Sequence, residues 1–451
     1  MTSSPRPSVS GGPTSFITWP ACSNEFSPIS LARLAAGPPE LVDFDDTPEE
    51  AAFRAEARTW LEDNAAPRST ESVGARRRWR DPSPEAQRAH VESCRRWQGT
   101  LHSGGWAGIT WPVPYGGRGG TSMQQVIFNQ EQAGFEVSTG ALTVGLAMVG
   151  PTLIAWGTED QKQRYLGPML RGQEVWCQLF SEPGAGSDLA GLITRAERED
   201  TGWVVNGQKV WTSLAQHSQW AILLARTDTS APKHRGITYF LVDMSSPGVD
   251  VRPLRQIDGV AHFNEVFLTD VRIPDSQVLG DVNGGWRVAQ TTLQSERIAI
   301  GSGEGLRFDD LRTLMAGVGA PRRHRFRQEV TDAYIRSELL RFLGYRVQTA
   351  ISQGRPPGPE TSVMKLAFSN HIATTTDLLL NLEGAWGMLG VEGAPDNGFW
   401  QQQFLSQWSI RIGGGTDQIQ RNILGERVLG LPREPDPGRE QPFRWPKEAQ
   451  G

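Results

Sequence analysis

The sequence predicts an α+β fold in which a middle β domain separates two helical domains. Apolar residues recur at helical spacing before about residue 170 and again from Gly284 to about residue 428, whereas period-two alternation dominates between them. This order, with long C-terminal helices, indicates a barrel-like sheet between helical bundles. We expect an N-terminal helical domain, an antiparallel β domain and a C-terminal helical bundle, with boundaries at 43–175, 176–280 and 281–433.

The two ends of the chain have no clear periodicity. Residues 1–42 are rich in Ser, Pro and Gly, and we expect a disordered extension or an unused upstream start. Their low acid content also fits an organelle transit peptide, although Arg6 and Arg33 are the only basic residues there. Residues 434–451 are expected to form a flexible tail.

Composition argues against several classes of function. A net charge of −5 gives no basic footprint for nucleic acid, and no apolar run reaches the length of about 18 residues that a membrane span needs. The three cysteines, Cys22, Cys94 and Cys177, have neither metal-ligand nor disulfide-framework spacing. We therefore expect a cytoplasmic protein that holds no metal.

The first helix is predicted to begin at Pro48. Thr47 is a good N-cap residue and Glu50 the matching capping-box acid. Apolar side chains then follow at helical spacing, from Phe53 to Leu61. Further helical spacing predicts helices over 82–106 and within 121–170.

The middle region contains short runs of β-prone residues. Asn206-Gly207 between two of these runs predicts a hairpin turn. The candidate strands lie at 175–180, 203–206, 208–212, 219–226, 237–243, 249–254 and 264–273. After Gly284 three or four long helices are expected, two of them divided by the Gly- and Pro-rich stretch 354–359.

Two strings of residues carry a family resemblance. Ser181-Glu182-Pro183-Gly184-Ala185-Gly186-Ser187-Asp188 is a loop whose glycines let the backbone approach a flat ligand, and Gln208-Lys209-Val210-Trp211-Thr212-Ser213 follows it. Gly413-Gly414-Gly415-Thr416-Asp417-Gln418 lies near the C-terminus. In this order and spacing, the strings resemble the flavin-binding signature of the acyl-CoA dehydrogenases. The resemblance extends from about residue 43 to about residue 433.

The resemblance implies FAD as the cofactor and an acyl-CoA thioester as the substrate. Enzymes of this family insert a double bond between the α and β carbons: a carboxylate removes the α proton, and hydride leaves the β carbon for flavin N5. It also implies an electron-transfer flavoprotein as the electron acceptor and assembly into an oligomer. By position, the residues that match flavin contacts of the family are Gln178, Ser181, Ser187, Trp211, Ser213, Thr416 and Gln418.

The catalytic base departs from the commonest pattern of the family. Many members place a glutamate where this chain has Gly414, whereas a minority place it on an earlier helix, at the position of Glu296. Glu296 also lies on the apolar stripe that runs from Trp286 through Leu293, where burial would raise its pKa towards the working pH of a general base. Arg297 matches an arginine beside the site.

Two interpretations of Glu296 remain open at this point. It is either the base or a structural glutamate paired with an arginine of the Arg-rich region 322–346. Gly414 keeps a backbone N–H that can donate to the thioester oxygen, so the carbonyl clamp need not be lost with the side chain.

A second departure concerns the contacts between subunits. The Arg-x-x-Phe-Gly string that reaches a neighbour's FAD is absent from 314–325, where several arginines could replace it. The later Gln-x-x-Gly-Gly-x-Gly loop is altered, with Asn381 for Gln and Ala385 for one Gly. The chain could therefore form a homo-oligomer or pair with a related chain.

Three functions fit these observations. The leading one is a catalytic acyl-CoA dehydrogenase. The alternatives are a non-catalytic or half-site partner subunit of a heteromeric dehydrogenase, and an oxidase or flavin monooxygenase on the same fold. The acyl group is left open among branched, long-chain, sterol side-chain and carrier-bound groups.

Overall fold

The computed structural model describes residues 46–68, 83–301, 308–353, 360–389, 394–435, 438 and 440–444. The predicted extension over 1–42 and the divider at 354–359 lie outside these residues. The description below concerns the compact unit Pro48–Gly451.

The N-terminal part is helical, as predicted, and its first helix begins at Pro48. Ser83, Thr121 and Thr158 cap α2, α3 and α5 through their hydroxyl oxygens, because each accepts a hydrogen bond from a backbone N–H of the first turn. The helices are α1 (Pro48–Asn64), α2 (Pro84–Ser103), α3 (Ser122–Gln132), α4 (Gly150–Trp156) and α5 (Glu159–Leu170).

Aromatic side chains fill the core between these helices. Trp106 stacks on Phe128 with ring centroids 4.9 Å apart, and Trp60 lies 5.7 Å from Trp97. Such pairs add about 0.5–1.5 kcal/mol each beyond the area they bury. This core continues into the β domain through Trp176 and Tyr239, so the helices are anchored to the sheet.

The middle domain is one curled sheet of seven strands in the described residues. Most pairings are antiparallel, as predicted, but β4 pairs in parallel with β1 and β2, so the sheet is mixed. The short β2 was not predicted. The strands are β1 (Trp176–Leu179), β2 (Arg195–Glu199), β3 (Gly202–Ser213), β4 (Trp220–Arg226), β5 (Ile237–Asp243), β6 (Val249–Leu254) and β7 (Phe263–Pro274).

The hairpin predicted at Asn206-Gly207 is wrong. The chain runs straight through this dipeptide as β3, which pairs with β7 on both sides of it, with a shift of register between Val205 and Gly207. Glycine is needed because a Cβ here would lie 2.5 Å from the Thr194 hydroxyl oxygen. The dipeptide therefore marks a bulge with a close backbone approach rather than a turn.

The C-terminal part is helical, as predicted. Helix α6 packs against β5 and α4, whereas α9 and α11 each pack on α10. The helices are α6 (Gly285–Gly301), α7 (Phe308–Gly317), α8 (Ala320–Arg325), α9 (Arg327–Ser352), α10 (Glu360–Glu383), α11 (Phe399–Ile412) and α12 (Asp417–Ile423). Although we predicted a flexible tail over 434–451, residues 440–444 pack against the β domain.

Candidate active site

Glu296 projects from α6 towards the end of β1. Gln178 of β1 donates from Nε2 to the Glu296 Oε2 over 3.4 Å. The two residues lie 118 positions apart in the sequence, so only the packing of α6 on the sheet brings them together. Gln178 is half-buried, and its side-chain amide oxygen, Oε1, has no hydrogen-bond partner among the described residues.

A buried chain of hydroxyl groups fixes α6 one turn before Glu296. The Thr292 hydroxyl oxygen lies 3.0 Å from that of Thr152 on α4 and 3.0 Å from that of Tyr239 on β5. All three side chains are buried. These three hydroxyl groups connect the N-terminal helices, the sheet and α6. They therefore fix the position of the helix that carries the Glu296 carboxylate.

Burial raises the pKa of Glu296. Desolvation of the carboxyl group is the largest cause, and the side chain of Gln178, the charge of Arg297 and the backbone N–H of Gly414 oppose it. Within the described residues, no ion pair joins Glu296 to an arginine of 322–346. The geometry therefore does not support the structural pairing that the sequence left open.

The C-terminal glycine loop, residues 413–416, comes to the same place. Gly414 has φ of 64° and Gly415 has φ of 86°, the left-handed region that favours glycine. Gln420 donates to the Gly414 carbonyl over 3.0 Å and fixes this peptide. The backbone N–H of Gly414 lies close enough to the carboxyl group of Glu296 to lower the pKa of that group.

A buried ion pair anchors the glycine loop at its C-terminal side. Asp417, the first residue of α12, lies 3.3 Å from the ammonium group of Lys365 on α10 and 3.4 Å from Arg411. The charge of Lys365 also favours the ionised form of Glu296, as a minor contribution. The loop and the carboxylate thus share one cation.

We call residues 181–188 the flavin loop, and a second buried ion pair anchors it. The carboxylate of Glu182 accepts from Lys209 Nζ at 2.7 Å and from the backbone N–H groups of Ile193 and Thr194 at 2.6 and 2.9 Å. Burial alone would raise the pKa of Glu182, but the charge of Lys209 and these donors outweigh it, so the pKa is lowered.

One side of the flavin loop is open. A Cβ added at Gly184 or Gly186 would meet no atom within 4 Å. Ser187 is exposed, whereas Ser181 and Ser213 are half-buried. Trp211 is 60% exposed. Its φ of 63° lies in the left-handed region, which is unusual for a bulky residue. The strand end therefore presents a large aromatic face beside the loop.

The remaining sequence-predicted residues divide into two groups. Thr416 caps α12 by accepting from the Ile419 N–H over 3.1 Å, and Gln418, in the first turn of α12, is exposed. Asn381 and Ala385 are exposed near the end of α10, and in the described residues no hydrogen bond joins them to Glu296 or the flavin loop.

Arg322 donates to the Leu382 carbonyl over 3.1 Å and lies against Gly384, at the end of α10. Arg322 is exposed, as are Arg323 and Arg325 of the same helix. Their proposed role at a subunit contact stays a prediction.

Sequence reasoning missed the cations that anchor the two loops. Lys209 and Lys365 are fully buried, and neither was singled out as a site residue. The available signal was the scarcity of lysine, which occurs only at 162, 209, 233, 365 and 447. Of these five, Lys209 lies inside the first family string, and Lys365 pairs with Asp417 of the second.

The candidate site thus combines a desolvated carboxylate on α6 with the glycine loop of residues 413–416, in a chain of helical, β and helical parts. Three family models match consecutive parts of this chain: the acyl-CoA dehydrogenase N-terminal domain over 47–173, the middle domain over 177–271 and the C-terminal domain over 283–429. The chain belongs to the acyl-CoA dehydrogenase family.

Individual relatives agree with this assignment. The acyl-CoA dehydrogenase IpdE1 of Mycobacterium tuberculosis is 39% identical over 85% of this chain and 98% of that protein. The acyl-CoA dehydrogenase FadE34 of the same organism is 42% identical over 72% of this chain, which spans only 44% of that protein. A solved structure, the Tcur3481-Tcur3483 steroid ACAD, is 29% identical, with a TM-score of 0.71 over 87% of this chain and 100% of that one.

Members of this family are FAD-binding oxidoreductases that act on CH–CH bonds, and this chain is assigned to that class with FAD as its cofactor. Its residues fit the group. The unpartnered oxygen of Gln178, the open sides of Gly184 and Gly186 and the exposed ring of Trp211 leave both polar contacts and space for an isoalloxazine.

Two features are absent from the described residues. Among the described residues, no group of three or more His, Cys, Asp or Glu side chains could hold a metal ion. None of the helices in this part of the chain has the length and apolar character needed to cross a bilayer.

Proposed function

We propose that this chain catalyses the FAD-dependent α,β-dehydrogenation of an acyl-CoA thioester, with Glu296 as the general base. One observation carries the proposal: a desolvated carboxylate on α6 meets Gln178 of β1 and the N–H of Gly414 at one point. A base with a raised pKa is suited to removing a weakly acidic C–H proton near neutral pH.

The protein's own groups would contribute as follows. Glu296 accepts the α proton of the substrate once its carboxyl group is ionised. With substrate bound, the N–H of Gly414 would donate to the thioester oxygen in place of the Glu296 carboxyl group and so acidify that proton. Arg297 supports the ionised form of the base. Bound FAD supplies the hydride acceptor for the β carbon.

The flavin loop and the neighbouring strand end would hold the isoalloxazine. Ser181 and Ser213 can donate hydroxyl hydrogens to ring oxygen and nitrogen atoms, which favours the reduced, anionic ring. The Thr416 hydroxyl oxygen already accepts from Ile419, so its hydrogen remains available as a donor. The remaining proposed contacts are Gln178, Ser187, Trp211 and Gln418.

The relatives support a substrate with a bulky acyl group. The Tcur3481-Tcur3483 protein is a steroid ACAD, and its structure matches 87% of the length of this chain. We therefore propose a steroid-derived acyl-CoA as the first substrate class to screen. The electrons are proposed to pass to an electron-transfer flavoprotein.

A second candidate function is the half-site subunit of a heteromeric dehydrogenase. Arg322, the first of the arginines that could replace the missing cross-subunit cation, donates to a carbonyl of its own chain, that of Leu382. Asn381 and Ala385 alter the other cross-subunit loop. The ChsE4-ChsE5 complex, 26% identical with a TM-score of 0.67, is a relative built from two named chains.

The test of the base is Glu296→Gln, which keeps the shape and the hydrogen bond with Gln178 but removes the proton acceptor. Turnover of an acyl-CoA should fall by about 10³-fold or more, because general-base catalysis alone supplies about 10²–10⁴. The visible flavin spectrum should persist. Gln294→Ala, at an exposed position two residues away on α6, is the matched control and should keep full turnover.

Substantial turnover by the Glu296→Gln enzyme would eliminate Glu296 as the base. The half-site alternative is tested by the FAD content and the assembly mass of the chain purified alone. About one FAD per chain in a homo-oligomer supports the complete enzyme. Little flavin, restored only by co-expression with a related chain, supports the heteromer.

A further inference from the structure

The segment 440–444, which follows the last helix, packs on the β domain beside the flavin loop. The backbone N–H of Phe443 donates to the Ala231 carbonyl over 2.9 Å. Ala231 belongs to the loop 228–235, which joins β4 to β5. The other contacts between the two segments are a β-bridge of Pro442 with Pro232 and an ion pair of Glu440 with Arg235.

The ring of Phe443 covers a buried cation. The guanidinium carbon of Arg226 lies 3.6 Å from the ring centroid. Burial lowers the pKa of Arg226 to about 10, so the group is still charged at neutral pH. Its nitrogens donate to the carbonyls of Ala190 and Leu192 at 2.6 and 3.1 Å, directly after the flavin loop. The ring of Phe443 thus packs over the guanidinium group that holds the backbone at the C-terminal end of the flavin loop.

A second connection runs through the loop 228–235. Arg226 also donates to the carbonyl of Lys233, over 3.2 Å. The ammonium group of Lys233 in turn lies 2.9 and 3.0 Å from the two carboxylate oxygens of Asp188, the last residue of the flavin loop. The loop 228–235 is therefore held between the C-terminal segment and the flavin loop.

We propose that residues 440–444 act as a strap that keeps the flavin loop in its cofactor-binding shape, with Phe443 as a positioning residue. Gly184 and Gly186 give the flavin loop little steric support of its own, so its conformation depends on what holds its ends. One end is held by the buried pair Glu182–Lys209, and the other by Asp188 and the contacts under Phe443. This inference rests on the proposed placement of the flavin.

The test is the rate of FAD release from the holoenzyme, followed as the rise of flavin fluorescence after dilution. Phe443→Ala should speed release about tenfold, the scale of a desolvated cation–π contact. Truncation after Pro435 should speed it at least as much. Phe443→Trp restores an aromatic face and should release FAD as slowly as the parent. Truncation after Arg444, which removes only 445–451, is the matched control and should also leave release unchanged.

A double-mutant cycle distinguishes a strap from general loosening. If the strap acts through Lys233, then Phe443→Ala and Lys233→Met together should speed release by less than the product of their separate effects. Independent, multiplicative effects would contradict the proposal, as would release within twofold of the parent in both Phe443→Ala and the chain truncated after Pro435. A parent enzyme that never holds FAD would instead contradict the proposed flavin placement.

Discussion

A buried carboxylate–lysine ion pair anchors each of the two glycine-containing loops, and the two pairs differ in the distance between their charged groups. Each loop contains or directly precedes a buried carboxylate that pairs with a fully buried lysine from another element. Glu182 of the flavin loop has Lys209 at 2.7 Å and two backbone N–H donors, whereas Asp417 beside the glycine loop has Lys365 at 3.3 Å and Arg411 at 3.4 Å.

The difference separates a structural charge pair from one that is connected to the chemistry. The pair Glu182–Lys209 is fully buried, and Lys209 also donates to the Phe180 carbonyl just before the flavin loop. Lys365, in contrast, acts on both Asp417 and Glu296. The shorter pair holds its loop through closer hydrogen bonds, whereas the charge of Lys365 also favours the ionised form of Glu296.

The largest expected effect comes from removing the lysine of the tighter pair. Lys209→Met leaves Glu182 buried without its cation, which should lower the free energy of unfolding by about 3–5 kcal/mol. Lys365→Met should cost less, because Arg411 remains near Asp417. Lys365→Met should also move the acidic limb of kcat/KM to higher pH, because a positive charge that favours the ionised Glu296 is lost.

Urea unfolding of both variants, together with a pH–rate profile of Lys365→Met, measures these effects. Lys162→Met removes a lysine whose partner Glu159 lies on the surface, so it should cost at most about 1 kcal/mol and leave the limb in place. Equal destabilisation by Lys209→Met and Lys365→Met would contradict the ranking of the two pairs.

Sequence reasoning reached the parts of the site that have a local signal. Glu296 lies on the apolar face of a regular helix, and the open loop is readable from Gly184 and Gly186. The lysine partners are 27 and 52 residues from their carboxylates, and no periodicity reports such a pairing. The hairpin signal at Asn206-Gly207 failed because β7 continues the pairing across it, so tertiary contacts outweighed the local preference.

A third buried carboxylate, Glu383 at the end of α10, extends the comparison because it forms no ion pair with a cation among the described residues. Burial and the charge of Asp396 raise its pKa to about 7, against a single hydrogen bond from Gln401. In the folded protein the Glu383 carboxyl group is neutral below about pH 7. In the unfolded chain the same group is already ionised above its ordinary pKa of 4.5. The stability it contributes is therefore present in acid and is lost as the pH rises through about 7.

The enzyme should lose about 1–3 kcal/mol between about pH 5.5 and about pH 8.5 from this group. The midpoint of urea unfolding at each pH gives the measurement. Glu383→Gln mimics the neutral form and should remove this part of the pH dependence, while Glu159→Gln, at an exposed surface pair, should not. A Glu383→Gln profile parallel to that of the parent would show that Glu383 is ionised in the fold across this range.

The smallest expected effects separate the two loops at the level of single glycines. Gly415→Ala should destabilise by about 1–2 kcal/mol, because φ is 86° and the new Cβ would lie 2.7 Å from the Gln420 amide nitrogen. Gly186→Ala has open space around its Cβ and should change the unfolding free energy by no more than about 0.5 kcal/mol.

Flavin binding should rank the two glycine variants in the opposite order. The methyl group of Gly186→Ala projects into the open side of the flavin loop, where the isoalloxazine is proposed to lie, so FAD release should be faster although the fold is intact. Gly184→Ser, at the second open position, should repeat this behaviour. Normal FAD release by both loop variants would mean that the open side does not face the flavin. The flavin loop would then resemble the glycine loop, since both would be shaped by their own backbone and not by the cofactor.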